Sequence, residues 1–350
     1  MSIAGVVWTG LRGASNALQP EGGTRCNLAR LPAPPPPASP PLSHPMIATQ
    51  PLLSSGHELD RSPEAFGFIH SSADALDQPA ELARRLTADG YLYLPGFFDP
   101  ALILAARAAI TDRLAAEGSL DPAAPTLEAR SHPDRKFTYR GDLARHNPAV
   151  ERVVYGPELL GFYRNLFGEP VRHFDHTWFR AVSHGLGTPP HCDLVYMGRG
   201  THQLLTCWIP YGDIPLELGG VMLLEGSHRQ SDRLRNYLEV DVDAYCENRP
   251  KQVDQVKVNG GWSHPGFLTK NPVALRAKLG GRWLTAPEWK AGDFLTFGMT
   301  LVHASLDNQT DCFRLSSDTR YQRASQPVDE RWIGENPIAN TLAGKRGRVC

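Results

Sequence analysis

No run of about 18 consecutive apolar residues occurs anywhere in the 350-residue chain, so no transmembrane helix is expected. Nor is there an excess of either charge. The 36 Lys+Arg residues stand against 37 Asp+Glu, and a net charge of −1 provides no global field toward nucleic acid or a membrane surface. Cysteine is sparse: six residues, Cys26, Cys192, Cys207, Cys246, Cys312 and Cys350, with no CxxC spacing among them. That argues against a zinc ribbon or a dense disulfide framework. It points instead to reduced thiols in a cytoplasmic protein, with no role evident for Cys350. No internal repeat is present. What remains is an ordinary globular composition, 41% hydrophobic and 21% charged.

Residues 1–50 differ from the rest. Up to residue 45, Arg12, Arg25 and Arg30 face a single acid, Glu21, and eight of the fourteen residues from Pro32 to Pro45 are proline. Such a segment cannot bury a core and is expected to be a disordered or polyproline-like extension. Its Arg-bearing, acid-poor composition also fits a transit peptide; the plainer reading is an extension with no role in the fold. Residues 51–78 read as a linker.

From Pro79 the pattern becomes regular. Apolar residues at helical spacing run to Gly90, a short strand fits Tyr91–Leu94, and Asp99-Pro100 opens an alanine-rich helix that stops at Gly118. A third helix fits Pro157–Phe167. Beyond residue 170, short β-rich runs alternate with Gly, Pro and Asp: Val171–Val182, Gln203–Ile209, Gly220–Leu224, Asp293–Phe297 and Phe313–Tyr321. Many short strands with turn signals predict a mainly β domain with flanking helices, a jelly roll spanning 79–335, with 336–350 as a tail. The stretch 230–287 interrupts the strands and is too long for a plain loop. It is expected to be a lid-like insertion, and Trp262, His264, Trp283 and Trp289 either close over a substrate or pack it against the barrel.

Two imidazoles and one carboxylate can hold a ferrous ion on one face and leave the other open. In an extended segment, residues i and i+2 point the same way, so an HxD triplet can supply two such ligands. The chain holds three: His132/Asp134, His173/Asp175 and His191/Asp193. About one is expected by chance among 13 histidines, so the triplet alone decides little. His191 follows Pro189-Pro190 and suits a rigid ligand loop, but on local features it is only somewhat ahead of His173. His303 is better marked. It alone among the histidines has an arginine eleven residues on, Arg314, and it has a serine at +2, Ser305. A guanidinium grips a carboxylate through two parallel hydrogen bonds and a serine hydroxyl adds a third donor. Together these point to oxygen chemistry at a non-haem iron that uses 2-oxoglutarate. An ordinary ion pair of Arg314 with a nearby acid is the alternative.

At this point the chain resembles the phytanoyl-CoA dioxygenase family of Fe(II)/2-oxoglutarate oxygenases, over about Leu82 to Gln322. Asp89-Gly90-Tyr91 through Phe97 is similar to the family's opening strand. His191-Cys192-Asp193, Cys207-Trp208-Ile209-Pro210, Gly219 through Arg229, Gly292-Asp293 and the set His303, Ser305, Arg314 then follow in the family's order. The resemblance implies a double-stranded β-helix of the cupin-like type. It implies iron bound by His191, Asp193 and His303, and the C5 carboxylate of 2-oxoglutarate bound by Arg314 and Ser305. Trp208 would line the co-substrate pocket, Trp178 would fall near it, and Lys136 stands where the family has a basic residue that reaches the oxo-acid. Halogenating relatives replace the aspartate by a small residue; Asp193 implies hydroxylation of a small organic substrate with release of succinate and CO2. The rivals are a cupin-like metalloenzyme that does not use 2-oxoglutarate and a non-catalytic binding protein on the same fold.

Overall fold

All four described α-helices before residue 170 begin at proline. They are α1 (Pro79–Asp89), α2 (Pro100–Ala116), α3 (Pro148–Val154) and α4 (Pro157–Phe167). The first helical amide has no partner within a helix, so a residue without an N–H is at no disadvantage there. Asp99 and Asn147 cap α2 and α3 through their side chains, accepting from the amides of Ala101 and Val150. Gly90 and Gly168 end α1 and α4 in the left-handed region, φ +83° and +69°, where a Cβ would be strained. Buried residues of all four helices share one core with the outer face of a large sheet, through Leu92, Cys207, Ile209, Phe294, Leu315 and Tyr321.

The structure is a computed structural model that describes residues 50–258 and 260–350. Its ten principal strands are β1 (Phe66–Phe68), β2 (Tyr91–Leu94), β3 (Val171–His173), β4 (Trp178–Val182), β5 (Leu205–Pro210), β6 (Val221–Leu224), β7 (Trp283–Thr285), β8 (Phe294–Gly298), β9 (His303–Ser305) and β10 (Arg314–Arg323). The large sheet has the order β2-β8-β5-β10-β3, with β4 also paired to β10, and every pair is antiparallel. The small sheet has the order β9-β6-β7-β1, antiparallel except for β7 with β1. Tyr91, Tyr93, Trp208, Leu295 and Phe297 of the large sheet meet Val221, Leu223 and Leu284 of the small one in a second core. Two sheets packed in this way form the jelly roll that the strand pattern predicts. The period-2 rule sorts each strand: on β5, Cys207 and Ile209 face the helices, and Trp208 faces the other sheet.

The run expected as one strand from Val171 to Val182 is broken. Between His173, opposite Tyr321, and Trp178, opposite Asp318, the chain advances five residues against three on β10. The amide of Asp175 instead bonds the carbonyl of Trp332, so the chain bulges toward the C-terminal segment.

Three further expectations are corrected. Residues 51–78 are no linker: Leu52, Leu59, Phe66 and Ile69 are buried, and β1 is an edge of the small sheet. The insertion is shorter than 230–287, because β7 belongs to the sheet and Trp283 and Trp289 are core residues. What remains carries helices Ser231–Leu238 and Pro272–Leu279, which cover the outer face of the small sheet through Leu234, Leu275 and Leu279. The C-terminal residues are no loose tail, since Arg346–Arg348 pairs in parallel with Ala244–Cys246 and Cys350 forms a disulfide with Cys246. Chain separation of 104 residues hid that pairing from sequence inspection. The Pro-rich segment through residue 49 lies outside the described residues. Among the described residues, no helix is long and apolar enough to cross a membrane.

Candidate metal centre

β9 places His303 and Ser305 on the inner face of the small sheet, and Ala304 points into the outer core. His191 pairs with this strand: its amide donates to the carbonyl of His303 and the amide of His303 donates back, both at 2.9 Å. The extended segment ends there. Asp193 has helical backbone angles (φ −68°, ψ −23°) and opens the short helix Leu194–Met197, so it is not a strand neighbour of His191 as the i, i+2 argument assumes. Its carboxylate nevertheless reaches the histidines. Oδ1 lies 3.8 Å from Nε2 of His191 and 3.8 Å from Nε2 of His303. Among the described residues these three form the only cluster suited to a metal ion, their donor atoms all within 4.8 Å of one another. Cys192 points away, its thiol donating to the carbonyl of Thr300.

The hydrogen bonds around the triad fix which atoms can donate to a metal. Nδ1 of His191 donates to the carbonyl of Pro189 at 2.8 Å, and Nδ1 of His303 to that of Leu301 at 3.0 Å. Each ring therefore presents the lone pair of Nε2 toward Asp193. Burial, and then the neighbouring His303, push the His191 imidazole down to about 3; burial likewise lowers His303. Both rings are neutral at neutral pH, as ligands must be. For Asp193, burial opposes ionisation, but Arg320, His303 and His191 together outweigh it and hold the carboxyl below its ordinary range.

A narrow recess opens from the two histidines. Ser305, Arg314, Arg180, Asp318, Thr188, Trp208, Val221 and Phe297 are among its lining residues. Arg314 is 1% exposed. Its NH1 donates to Ser316 at 2.7 Å, but Nε and NH2 have no partner. Burial, and then the charge of Arg180, push its guanidinium down to about 9. A buried cation with two free N–H groups is costly unless an anion completes it. Among the described residues no acid pairs with Arg314, which argues against the ordinary ion-pair alternative. Ser305 Oγ accepts from the amide of Thr188 at 2.8 Å and keeps its proton for a further acceptor. The donor set thus fits a metal at one end and a carboxylate at the other.

Trp208 lines the recess with its ring 4.7 Å from that of Trp289. Lys136 does not belong to the site. It is exposed and absent from the recess lining, in an irregular segment whose Phe137 packs against Phe313. The recess wall instead holds Arg180 besides Arg314, and Nε of Arg180 donates to Asp318 at 2.9 Å. Trp178 lies over the guanidinium of Arg320 at 4.1 Å and is absent from the recess lining. His132 and His173 each stay with their own aspartate, at 3.8 and 3.3 Å, without a third ligand. The insertion reaches the site through Trp262, whose ring is 5.3 Å from Tyr196, itself 5.7 Å from His191.

Sequence reasoning misses Thr206, Arg180, Asp318 and Arg320. The available signal was the alternation Arg314, Ser316, Asp318, Arg320, Gln322 along β10. A polar residue at every second position ordinarily marks a solvated face; here all five are buried.

A sequence model described as phytanoyl-CoA dioxygenase (PhyH) matches residues 86–316. Among curated proteins, the 1-deoxypentalenic acid 11-beta-hydroxylase of Streptomyces exfoliatus is 27% identical over 261 residues, covering 71% of this chain and 83% of its own. The protein so described from Streptomyces arenae is 28% identical with the same coverage. Among solved structures, the non-heme alpha ketoglutarate dependent carbocyclase SnoK from nogalamycin biosynthesis aligns with a TM-score of 0.51 at 20% identity, over 74% of this chain and 88% of that one. EctD from S. alaskensis, crystallised with 2-oxoglutarate and 5-hydroxyectoine, aligns with a TM-score of 0.50 at 18% identity, over 83% and 94%. These two likenesses concern the fold, a cupin-like jelly roll.

Proposed function

Because the chain belongs to the phytanoyl-CoA dioxygenase family, we propose that it is an Fe(II)/2-oxoglutarate-dependent hydroxylase of a small organic molecule, releasing succinate and CO2. One observation carries this reading above the rest. The three ligand atoms gather at one point, and two of their residues, His191 and His303, line a recess whose lining also holds a buried arginine with two free N–H groups. A metalloenzyme without 2-oxoglutarate gives those N–H groups nothing to bind, and a non-catalytic binding protein gives the triad no purpose.

Bound iron would supply the activation of oxygen, and 2-oxoglutarate the reducing equivalents. The chain's part is to hold and orient. His191 and His303 would bind the ion through Nε2 and Asp193 through Oδ1. Arg314 would grip the distal carboxylate of the oxo-acid with Nε and NH2, and Ser305 would donate its hydroxyl proton to the same group. Trp208, Phe297 and Val221 line the recess and would keep water from the oxo-acid. The charge of Arg180 is already met by Asp318, so Arg314 is left as the cation available to a dicarboxylate.

The substrate is a separate question. The two curated relatives are described as hydroxylases of 1-deoxypentalenic acid, which puts small organic acids first in a screen. Nothing in the recess calls for nucleic acid or a membrane as partner.

The test is a titration of 2-oxoglutarate into anaerobic, iron-loaded protein, followed by its metal-to-ligand absorption band. The wild type should develop the band, His191→Ala should lose it, and Arg314→Ala should need more oxo-acid. A wild type without a band, and without succinate under oxygen in a metabolite screen, would refute the proposal.

A further inference from the structure

The two oxygens of Asp193 face different neighbourhoods. Oδ1 is the one near both histidines. Oδ2 accepts from NH2 of Arg320 at 2.8 Å and also from the hydroxyl of Thr206. These two donors stand directly opposite each other on β10 and β5, so the register of the large sheet brings them to one oxygen. Both partners of the ion pair are sealed off, Arg320 and Asp193 each at 2% exposure. Trp178, which stands opposite Asp318 on β4, covers the guanidinium with its ring. Among the described residues, Arg320 has no other anionic partner, and its Nε and NH1 are unbonded. A buried arginine held by one acid and one aromatic face is committed to that acid.

We propose that Arg320 is a positioning residue for the metal: by occupying Oδ2, together with Thr206, it makes Asp193 a ligand through one oxygen only. The inference rests on the Fe(II)/2-oxoglutarate reading above. A carboxylate with both oxygens free can chelate a cation and take two of its positions. In this site a second position taken by Asp193 is one denied to the oxo-acid or to oxygen. The guanidinium also cancels the carboxylate charge before any metal arrives, so the ligand is ionised and oriented in the empty protein. Lysine would supply the charge without the planar guanidinium that Trp178 covers, and threonine alone would supply one bond without the charge.

The experiment uses the full-length chain and Co(II), which reports its coordination through visible absorption. Wild type, Arg320→Met, Arg320→Lys and Thr206→Val are titrated with Co(II), their spectra are recorded with and without 2-oxoglutarate, and their thermal midpoints are measured. Arg320→Met is expected to bind Co(II) about 10- to 100-fold more weakly, the range seen when a partner of a metal ligand is removed. Its absorption should change in shape and intensity. Arg320→Lys should recover part of the affinity, and Thr206→Val should shift the spectrum in the same direction by less. A role confined to folding would lower the thermal midpoint and leave the spectrum of the bound metal untouched. That outcome in Arg320→Met overturns the proposal; if that variant fails to fold, wild-type spectra in both Arg320→Lys and Thr206→Val overturn it equally. A wild type that binds no Co(II) refutes the metal reading itself, and the proposal with it.

Discussion

His191 and His303 are joined through their backbones, each amide donating to the other's carbonyl at 2.9 Å. The two imidazoles, whose ring centres are 4.1 Å apart, are therefore carried by one piece of sheet despite their separation in the chain. Replacing either side chain leaves the backbone pair intact. His191→Ala and His303→Ala should each keep the fold and lose metal-dependent 2-oxoglutarate binding by at least about 100-fold, the loss of a direct ligand exceeding that of a supporting one. Circular dichroism with the anaerobic absorption titration checks both halves. Metal binding at wild-type strength in either variant would remove that residue from the ligand set.

Arg314 is held ready for an anion at the expense of the empty protein. Two charge-assisted hydrogen bonds lost to Arg314→Met, at about 1.5–3 kcal/mol each, should weaken 2-oxoglutarate binding by about 100-fold or more. The same change removes a buried cation whose Nε and NH2 are unpartnered, so the metal-free variant should melt at the same temperature as wild type or a few degrees higher. Thermal melts without ligand and a 2-oxoglutarate saturation curve test the opposition. A variant several degrees less stable would mean that the guanidinium already has a satisfied structural role.

The contrast between Arg314 and Arg320 shows what the sequence could reveal. Arg314 opens the strand that follows that of His303, one short connection between the sheets away, so the pair survives as a spacing that can be read along the chain. Arg320 meets Asp193 across 127 residues, and its position in a polar alternation resembles a solvent face until the second sheet is seen to cover it. The helices were legible because proline and glycine mark their ends. Lys136 was misplaced because its role rested on position alone, and the irregular segment that carries it has no periodicity from which its exposure could be read. The Cys246–Cys350 disulfide left no trace because its partners belong to no motif and meet only through the parallel pairing of two short strands.

Stability should fall as the medium is acidified. Burial, and then the charges of Arg320 and Arg145, push His176 down to about 4; burial, and then His303, take His191 to about 3; and burial lowers His303. All three are depressed from 6.5, so below that pH the unfolded chain binds protons that the folded one refuses. Stability is complete above about 6.5 and declines as pH falls toward the folded values. Each such ring contributes up to about 1.4 kcal/mol per pH unit in that window. The metal-free protein should melt several degrees lower at pH 5 than at pH 7, and His176→Gln should show a shallower decline. A melting temperature flat between pH 7 and 5 would place these rings in water.

The C-terminal segment is fastened beside the metal centre by charge as well as by sulfur. Arg331 donates to Asp243 at 2.5 Å and to Asp329 at 2.6 Å, and Lys345 donates to Asp243 at 2.6 Å, with all four side chains covered. Trp332 packs its ring 4.6 Å from Trp178 and 5.2 Å from His176, so the segment forms a wall next to Arg320. The disulfide closes a long loop across this wall. By the chain-entropy account, closing a loop of about 100 residues stabilises a fold by up to about 4–5 kcal/mol. Reduction, or Cys350→Ser, should therefore lower the thermal midpoint by several degrees, and reductant should have no further effect on the variant. The buried ion pairs remain when the sulfur link is gone. Limited proteolysis should accordingly trim only the residues beyond Lys345, and the 2-oxoglutarate absorption band should persist. Loss of the band on reduction would mean that the disulfide, not the Arg331–Asp243 network, holds Trp332 against Trp178.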